Sequence, residues 1–213
     1  MSIELEQVLE HFKKEQKKLK ADDEDGRIKK LSELFEPIAK HLLCCGCFEV
    51  YSGNKLIRRI FPYTVEFYYH EEEGIVKDPI VYHKNKPDYF KPGTINAHQS
   101  GIDITFENND DDAKYRASAL IRAFRVKEGD DINTKYSDVD RRSTYLYDYL
   151  LTNIPMPITI EWVSLDTGIN VEPIKGYRVN VHKYDSKQEK TKELDRKPWA
   201  FSLGVFPNKY KLG

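Results

Sequence analysis

Two apolar segments of this 213-residue chain carry the residues best suited to chemistry. In Tyr63-Thr64-Val65-Glu66-Phe67-Tyr68-Tyr69-His70 a carboxylate stands within an aromatic strand, and strand alternation puts Glu66, Tyr68 and His70 on one face. A carboxylate there either faces solvent or is functional. On a half-buried face beside tyrosines it becomes a base for water, provided the proton it removes lies within hydrogen-bond reach. In the second segment, Tyr115 to Phe124, the cation Arg122 is set among Leu120, Ile121, Ala123 and Phe124. Burying an arginine unpaired is costly, so Arg122 either points to solvent at a sheet edge or meets an anion. Glu66 is its natural partner if the two strands are neighbours.

A third cluster, Cys44-Cys45-Gly46-Cys47 with His41 upstream, has ligand types for zinc or for redox chemistry. Adjacent Cys44 and Cys45 chelate one ion awkwardly, and the sequence holds no second cysteine pair to complete a tetrahedral set. Small buried side chains closing a helix at Gly46 are the simpler expectation, with no metal and no cofactor.

These residues need a frame. Leu5, Val8, Leu9 and Phe12 fall at helical spacing, and after the acidic break Asp22 to Gly26 the residues Ile28, Leu31, Phe35, Ile38 and Leu42 repeat similarly, interrupted by Pro37. Both stripes require burial, most simply on the rest of the chain, otherwise on a partner helix. From Phe48 onward short runs of Val, Ile, Tyr and Phe alternate with turn signals. The spacing predicts strands at 48–51, 55–60, 64–70, 101–107, 115–126, 158–165, 177–183 and 199–205. One interrupting helix is predicted around Tyr145 to Leu150, with Ser137 and Asp140 resembling a capping box. The expected class is α+β: an N-terminal helical extension, residues 1–47, before a single β-rich domain of curved, mostly antiparallel sheet, residues 48–213.

Composition narrows the partners. Thirty-four Lys and Arg against 35 Asp and Glu leave a net charge of -1, so a polyanion must be met by a local patch. Candidates are Lys55 with Arg58 and Arg59, Lys84 with Lys86 and Lys91, and the tail from Lys183 onward. The charged first 20 residues do not read as a secretory signal, and no apolar run approaches the roughly 18 residues that span a bilayer. With three clustered cysteines and no disulfide framework, a cytoplasmic protein without membrane partners is expected.

Phe90-Lys91-Pro92-Gly93-Thr94, then Gly101, then Ala117-Ser118-Ala119-Leu120-Ile121-Arg122-Ala123 resembles the core of the methylpurine (alkyladenine, 3-methyladenine) DNA glycosylases. That family shows a KPGT motif, a hairpin and a strand of the ACVLLRAL kind in this order. Val65-Glu66-Phe67-Tyr68 is similar to its ETEAY strand, the stretch from Asp78 to His83 to the acid-to-histidine segment that follows, and Arg196 to Phe201 to its late RKPLRF strand. The match covers about residues 62–126 and 195–203.

The resemblance implies the glycosylase fold and hydrolysis of the N-glycosidic bond of an alkylated or damaged purine in DNA, as in base excision repair. It implies Glu66 as the base that activates water and Arg122 as the group holding water and carboxylate. Tyr68 and His83 would line the base pocket, with His98, Ser100 and Glu107 at neighbouring hairpin positions. Lys91, Arg141, Arg142 and Lys197 are candidates for the DNA backbone. An ionised carboxylate favours an oxocarbenium-like state, and aromatic walls hold an extruded base. Ser100 replaces the tyrosine that wedges into DNA, Ala97 falls near a second stacking tyrosine, and Glu107 replaces a purine-selecting asparagine. Those departures motivate the alternative of a non-catalytic module that binds nucleic acid, a nucleoside or a protein.

Overall fold

The computed structural model describes residues 3–20, 23–130, 135–165, 169–184, 187, 189–206 and 210–212. Two helices, α1 (Ile3–Lys18) and α2 (Glu24–Cys44), precede the strands β1 (Gly46–Ser52), β2 (Lys55–Glu71), β3 (Ile95–His98), β4 (Gly101–Thr105) and β5 (Tyr115–Glu128). A 3-10 turn at Ser143–Tyr145 leads into α3 (Leu146–Leu151). The strands β6 (Ile158–Ser164), β7 (Ile174–Gly176), β8 (His182–Tyr184), β9 (Lys190–Leu194) and β10 (Ala200–Ser202) follow. The result is a mixed α/β fold in which an eight-stranded, curled antiparallel sheet carries the N-terminal helices.

The sheet is organised around β2, which joins the expected strands 55–60 and 64–70 into one. It pairs with β5 from Arg58 opposite Glu128 to Glu71 opposite Tyr115. Pro62, which has no N–H to give, is absorbed where the register shifts between Pro62 and Val65. On its other edge the first half of β2 meets β1, and the second half meets β10, with Ala200 opposite Glu66. That change of partner at a bulge curls the sheet.

Alternation divides the two faces of the central strands. Val65, Phe67 and Tyr69 of β2, with Ala117, Ala119 and Ile121 of β5, join the core shared with the helices. Phe35 of α2 stacks on Phe12 of α1 at 5.5 Å between centroids and on Phe67 at 4.5 Å. The helical stripes are therefore buried on the chain's own sheet.

Local chemistry fixes the helix ends. The acidic break supplies a cap, since the Asp23 carboxylate accepts from Gly26 N at 2.6 Å and Glu24 and Asp25 occupy the first turn. Pro37 lies within α2 without ending it. At the other end Cys45 N–H closes onto His41 O, and Gly46 begins β1 where a Cβ would stand 2.3 Å from the Trp162 ring. Glycine is required there by close approach.

Several expected elements differ. Residues 177–183 do not form one strand; β7 ends before them and β8 starts within them, because Arg178 turns inward to buried carboxylates. Ser137 and Asp140 cap no helix: Ser137 Oγ accepts from Val126 N at 2.9 Å, and Asp140 bridges Phe124 while its carboxylate takes Arg142. The helical segment begins later, at Ser143. The short strand β3 escaped the sequence reading, and the last strand spans only Ala200–Ser202.

Phe35 joins the helices to the sheet, so Phe35→Ala is expected to lower unfolding stability by about 3–5 kcal/mol in urea titrations. An unchanged midpoint would mean that the helices contribute nothing to the core.

Candidate functional site

The sheet face turned away from α1 and α2 carries Glu66 and Tyr68 from β2, Ser118, Leu120 and Arg122 from β5, and Asp103 from β4. Register places them together: Leu120 lies opposite both Glu66 and Asp103, and Tyr68 lies opposite Ser118. Polar residues that read as a solvated face are here covered by the segment after β7, by Tyr82 and by the β3–β4 hairpin.

Glu66 has no exposed surface. Its Oε1 accepts from Val179 N at 2.6 Å and stands 3.7 Å from Arg122 Nε, and its Oε2 accepts from Tyr68 Oη at 2.9 Å. The suggested meeting of Glu66 and Arg122 thus occurs in the structure. Burial pushes the Glu66 carboxyl up, while Arg122, the Val179 N–H and the Tyr68 hydroxyl pull it back. Burial first, and then the adjacent Glu66, push the Tyr68 phenol far up, so its proton stays in place at neutral pH. Arg122 Nη1 also donates to Ser143 Oγ at 3.1 Å, and Ser143 Oγ donates to Ser100 O at 2.7 Å.

Over this floor lies a cavity of about 350 Å³, within the range of small-molecule sites. Tyr68, Tyr82, His98, Asp103, Arg122 and Tyr184 are among its walls. Tyr82 stacks on His98 with centroids 4.0 Å apart and shares a 2.7 Å hydrogen bond with Ser100. The hairpin bearing His98 and Ser100 is anchored by Tyr147 Oη, which donates to the carbonyls of His98 and Gly101. Gly101 has φ +139°, and a Cβ there would meet Leu120 Cδ1 at 3.0 Å. A side chain at that position would strain the hairpin and push into the site.

The segment that lids the sheet face is held by a buried ion network. Arg178, fully enclosed, pairs with Asp78 and Asp195, and Lys197 Nζ lies 3.0 Å from Asp195. The Arg178 guanidinium is 4.9 Å from the Tyr68 ring centroid. Beyond the lid a wider groove of about 780 Å³ shares His182 and Tyr184 with the cavity. Lys77, Lys84, Lys183, Arg196 and Lys197 border it together with Glu24, Asp25, Asp78 and Asp195, and burial first, then Lys77 and Lys84, lower the pKa of His70 there. The two spaces adjoin through β8.

Of the proposed pocket residues, Tyr68, His98 and Ser100 line the cavity and His83 and Glu107 do not. Those two are buried together elsewhere: His83 Nδ1 contacts Glu107 Oε1, while Glu107 Oε2 accepts from Phe90 N at 2.6 Å and Arg116 Nη1 at 3.1 Å. Arg116 draws them there, since a buried carboxylate needs a cation. The backbone candidates do not converge either. Lys91, Arg141 and Arg142 border neither space, Arg142 is paired with Asp140, and Lys197 reaches the groove only while bound to Asp195.

The cysteines stay free thiols, with burial and then the Glu49 charge pushing Cys47 up to about 12. Among the described residues no group of three His, Cys, Asp or Glu side chains is arranged to hold a metal, and no helix is long and apolar enough to cross a membrane. Asp103, Tyr82 and Arg178 escaped the sequence reading. Asp103 left one signal, a carboxylate in the clean alternation of Gly101 to Phe106. Comparison with known proteins brings no match: no family model, no curated protein and no solved structure is significantly similar to this chain.

The lid network sets an acid limit. Burial opposes the Asp195 charge, but Arg178 and Lys197 more than offset it and hold the carboxyl below its usual 3.8. Such a group adds stability above its unfolded pKa and loses it as pH falls through the lower folded value. Asp195→Asn is therefore expected to cost about 1–3 kcal/mol at neutral pH. In urea titrations the gap to wild type should close as pH falls below 3.8. A gap that does not change with pH would contradict the ion-pair origin.

Proposed function

We propose that the cavity binds a nucleobase extruded from a nucleic-acid strand and that the protein hydrolyses its N-glycosidic bond, as a divergent relative of the methylpurine DNA glycosylases. The observation that carries the reading is Glu66, enclosed against Arg122 and Tyr68 directly beneath an aromatic-walled cavity of base-binding size. The ordered motifs from Val65 to Arg122 support it, since the two residues given the central roles are in contact in the fold.

The mechanism follows from the contacts. Glu66 has no surface in the cavity, so it acts through Tyr68, whose hydroxyl already donates to Oε2. Water at the sugar carbon gives a proton to the Tyr68 oxygen as the Tyr68 proton passes to Glu66. The water oxygen bonds to the sugar carbon, the carbon–nitrogen bond breaks, and the base leaves with the bonding pair. Burial raises the Glu66 carboxyl and so makes it a stronger base, while Arg122 favours its ionised form. Tyr82 on His98 supplies the stacking wall, and the groove past His182, with Lys77, Lys84, Lys183, Arg196 and Lys197 among its mixed-charge walls, supplies a path for the strand.

A second reading, base binding without hydrolysis, draws on Ser100, which offers no wedge, and on the enclosure of Glu66. Free-base release separates the two. Wild type is expected to release alkylated or deaminated purines from oligonucleotides, with Glu66→Gln and Tyr68→Phe slower by about 100-fold or more. No release by wild type from single or double strands would leave the binding module as the function.

A further inference from the structure

We infer that Asp103 selects the ligand of the cavity: the site takes a nucleoside or extruded nucleotide whose base presents an exocyclic amino group, which donates to Asp103 Oδ1. The inference rests on the reading of the cavity as a base site but not on hydrolysis. Asp103 is only 2% exposed, and among the described residues it is the one acid on the cavity wall. Its Oδ2 accepts from Ser118 Oγ at 3.0 Å and lies 3.1 Å from His98 Nε2. Its Oδ1 has no hydrogen-bond partner.

A buried polar atom left unmatched is costly, more so on a charged group, and such atoms are rare in folded proteins. Glu66, on the same face, shows the contrast, since both of its oxygens are engaged. The Asp103 carboxylate is also fixed from behind by β5 through Ser118 and beside the stacked ring of His98. Asp103 stands on the cavity wall with Oδ1 itself buried, so a ligand donor that presses into this wall meets an acceptor that needs it. Among the other polar groups around the cavity, Arg122, Lys190 and the Tyr82 hydroxyl can donate, so ring nitrogens and keto oxygens are served elsewhere. An amino group at Asp103 completes the pattern in the way carboxylates accept from cytosine N4. A keto oxygen in its place sets acceptor against acceptor and is rejected.

The test is equilibrium binding, by calorimetry, of three nucleoside pairs that differ by one amino group. These are adenosine and purine riboside, cytidine and pyrimidin-2-one riboside, and guanosine and inosine. In at least one pair the amino member is expected to bind wild type about 10-fold to 100-fold more tightly, the range for a hydrogen bond to a charged group. Asp103→Asn should reduce that ratio several-fold while changing the affinity of the other member little. Ratios near one in every pair, absence of nucleoside binding, or an undiminished ratio in Asp103→Asn would each overturn the inference. The wild-type ratios need no variant, so a misfolded Asp103→Asn does not obscure the answer. Amino selectivity without base release would retain this inference and remove hydrolysis; base release without selectivity would do the reverse.

Discussion

A carboxylate buried in the middle of the central strand is the constraint on which this structure turns. Glu66 is enclosed where an apolar side chain would be cheaper, and its charge is met from three places: the Val179 backbone, the Tyr68 hydroxyl and Arg122. Val179 sits where it does because Arg178, one residue earlier, is drawn inward by Asp78 and Asp195. Asp195 in turn takes Lys197, just ahead of β10, the strand that pairs with β2 at Glu66. Compensation therefore closes a loop through β2, β5, the lid and β10. Breaking one member of such a network strands the others, so its residues rise or fall together.

Networks of this kind are weak devices for stability, since well-packed apolar groups of similar volume often serve as well or better. Stability comes from the other face, where alternate residues of β2 and β5 pack with Phe12 and Phe35. The helices take on the hydrophobic burden and free the opposite face to hold charge. That division makes a cavity floored by Tyr68, Leu120 and Arg122 affordable, and perturbed buried groups beside a cleft are where function concentrates.

Much of this was legible in the sequence, for reasons that differ by residue. Glu66 and Arg122 stood out because a charge in an apolar strand demands a partner, and opposite charges in two such strands suggest each other. The helical stripes were legible because their spacing admits one buried face. Asp103 was not, because polar alternation reads as solvent exposure until something covers it, and the cover comes from the distant segment around Val179. His83 and Glu107 were assigned to the pocket by motif order, which carries sequence and not distance; Arg116 decides where they go. Arg178 was hidden in a run of strand-like composition whose geometry is set by two remote carboxylates.

The most direct measurement is a crystal structure of Glu66→Gln with a single-stranded oligonucleotide carrying one alkylated adenine. The account predicts that base extruded into the cavity, between Tyr68 and the Tyr82–His98 stack, with its amino group on Asp103 and the strand leaving past His182. A strand bound elsewhere, with the cavity holding only water, would contradict it.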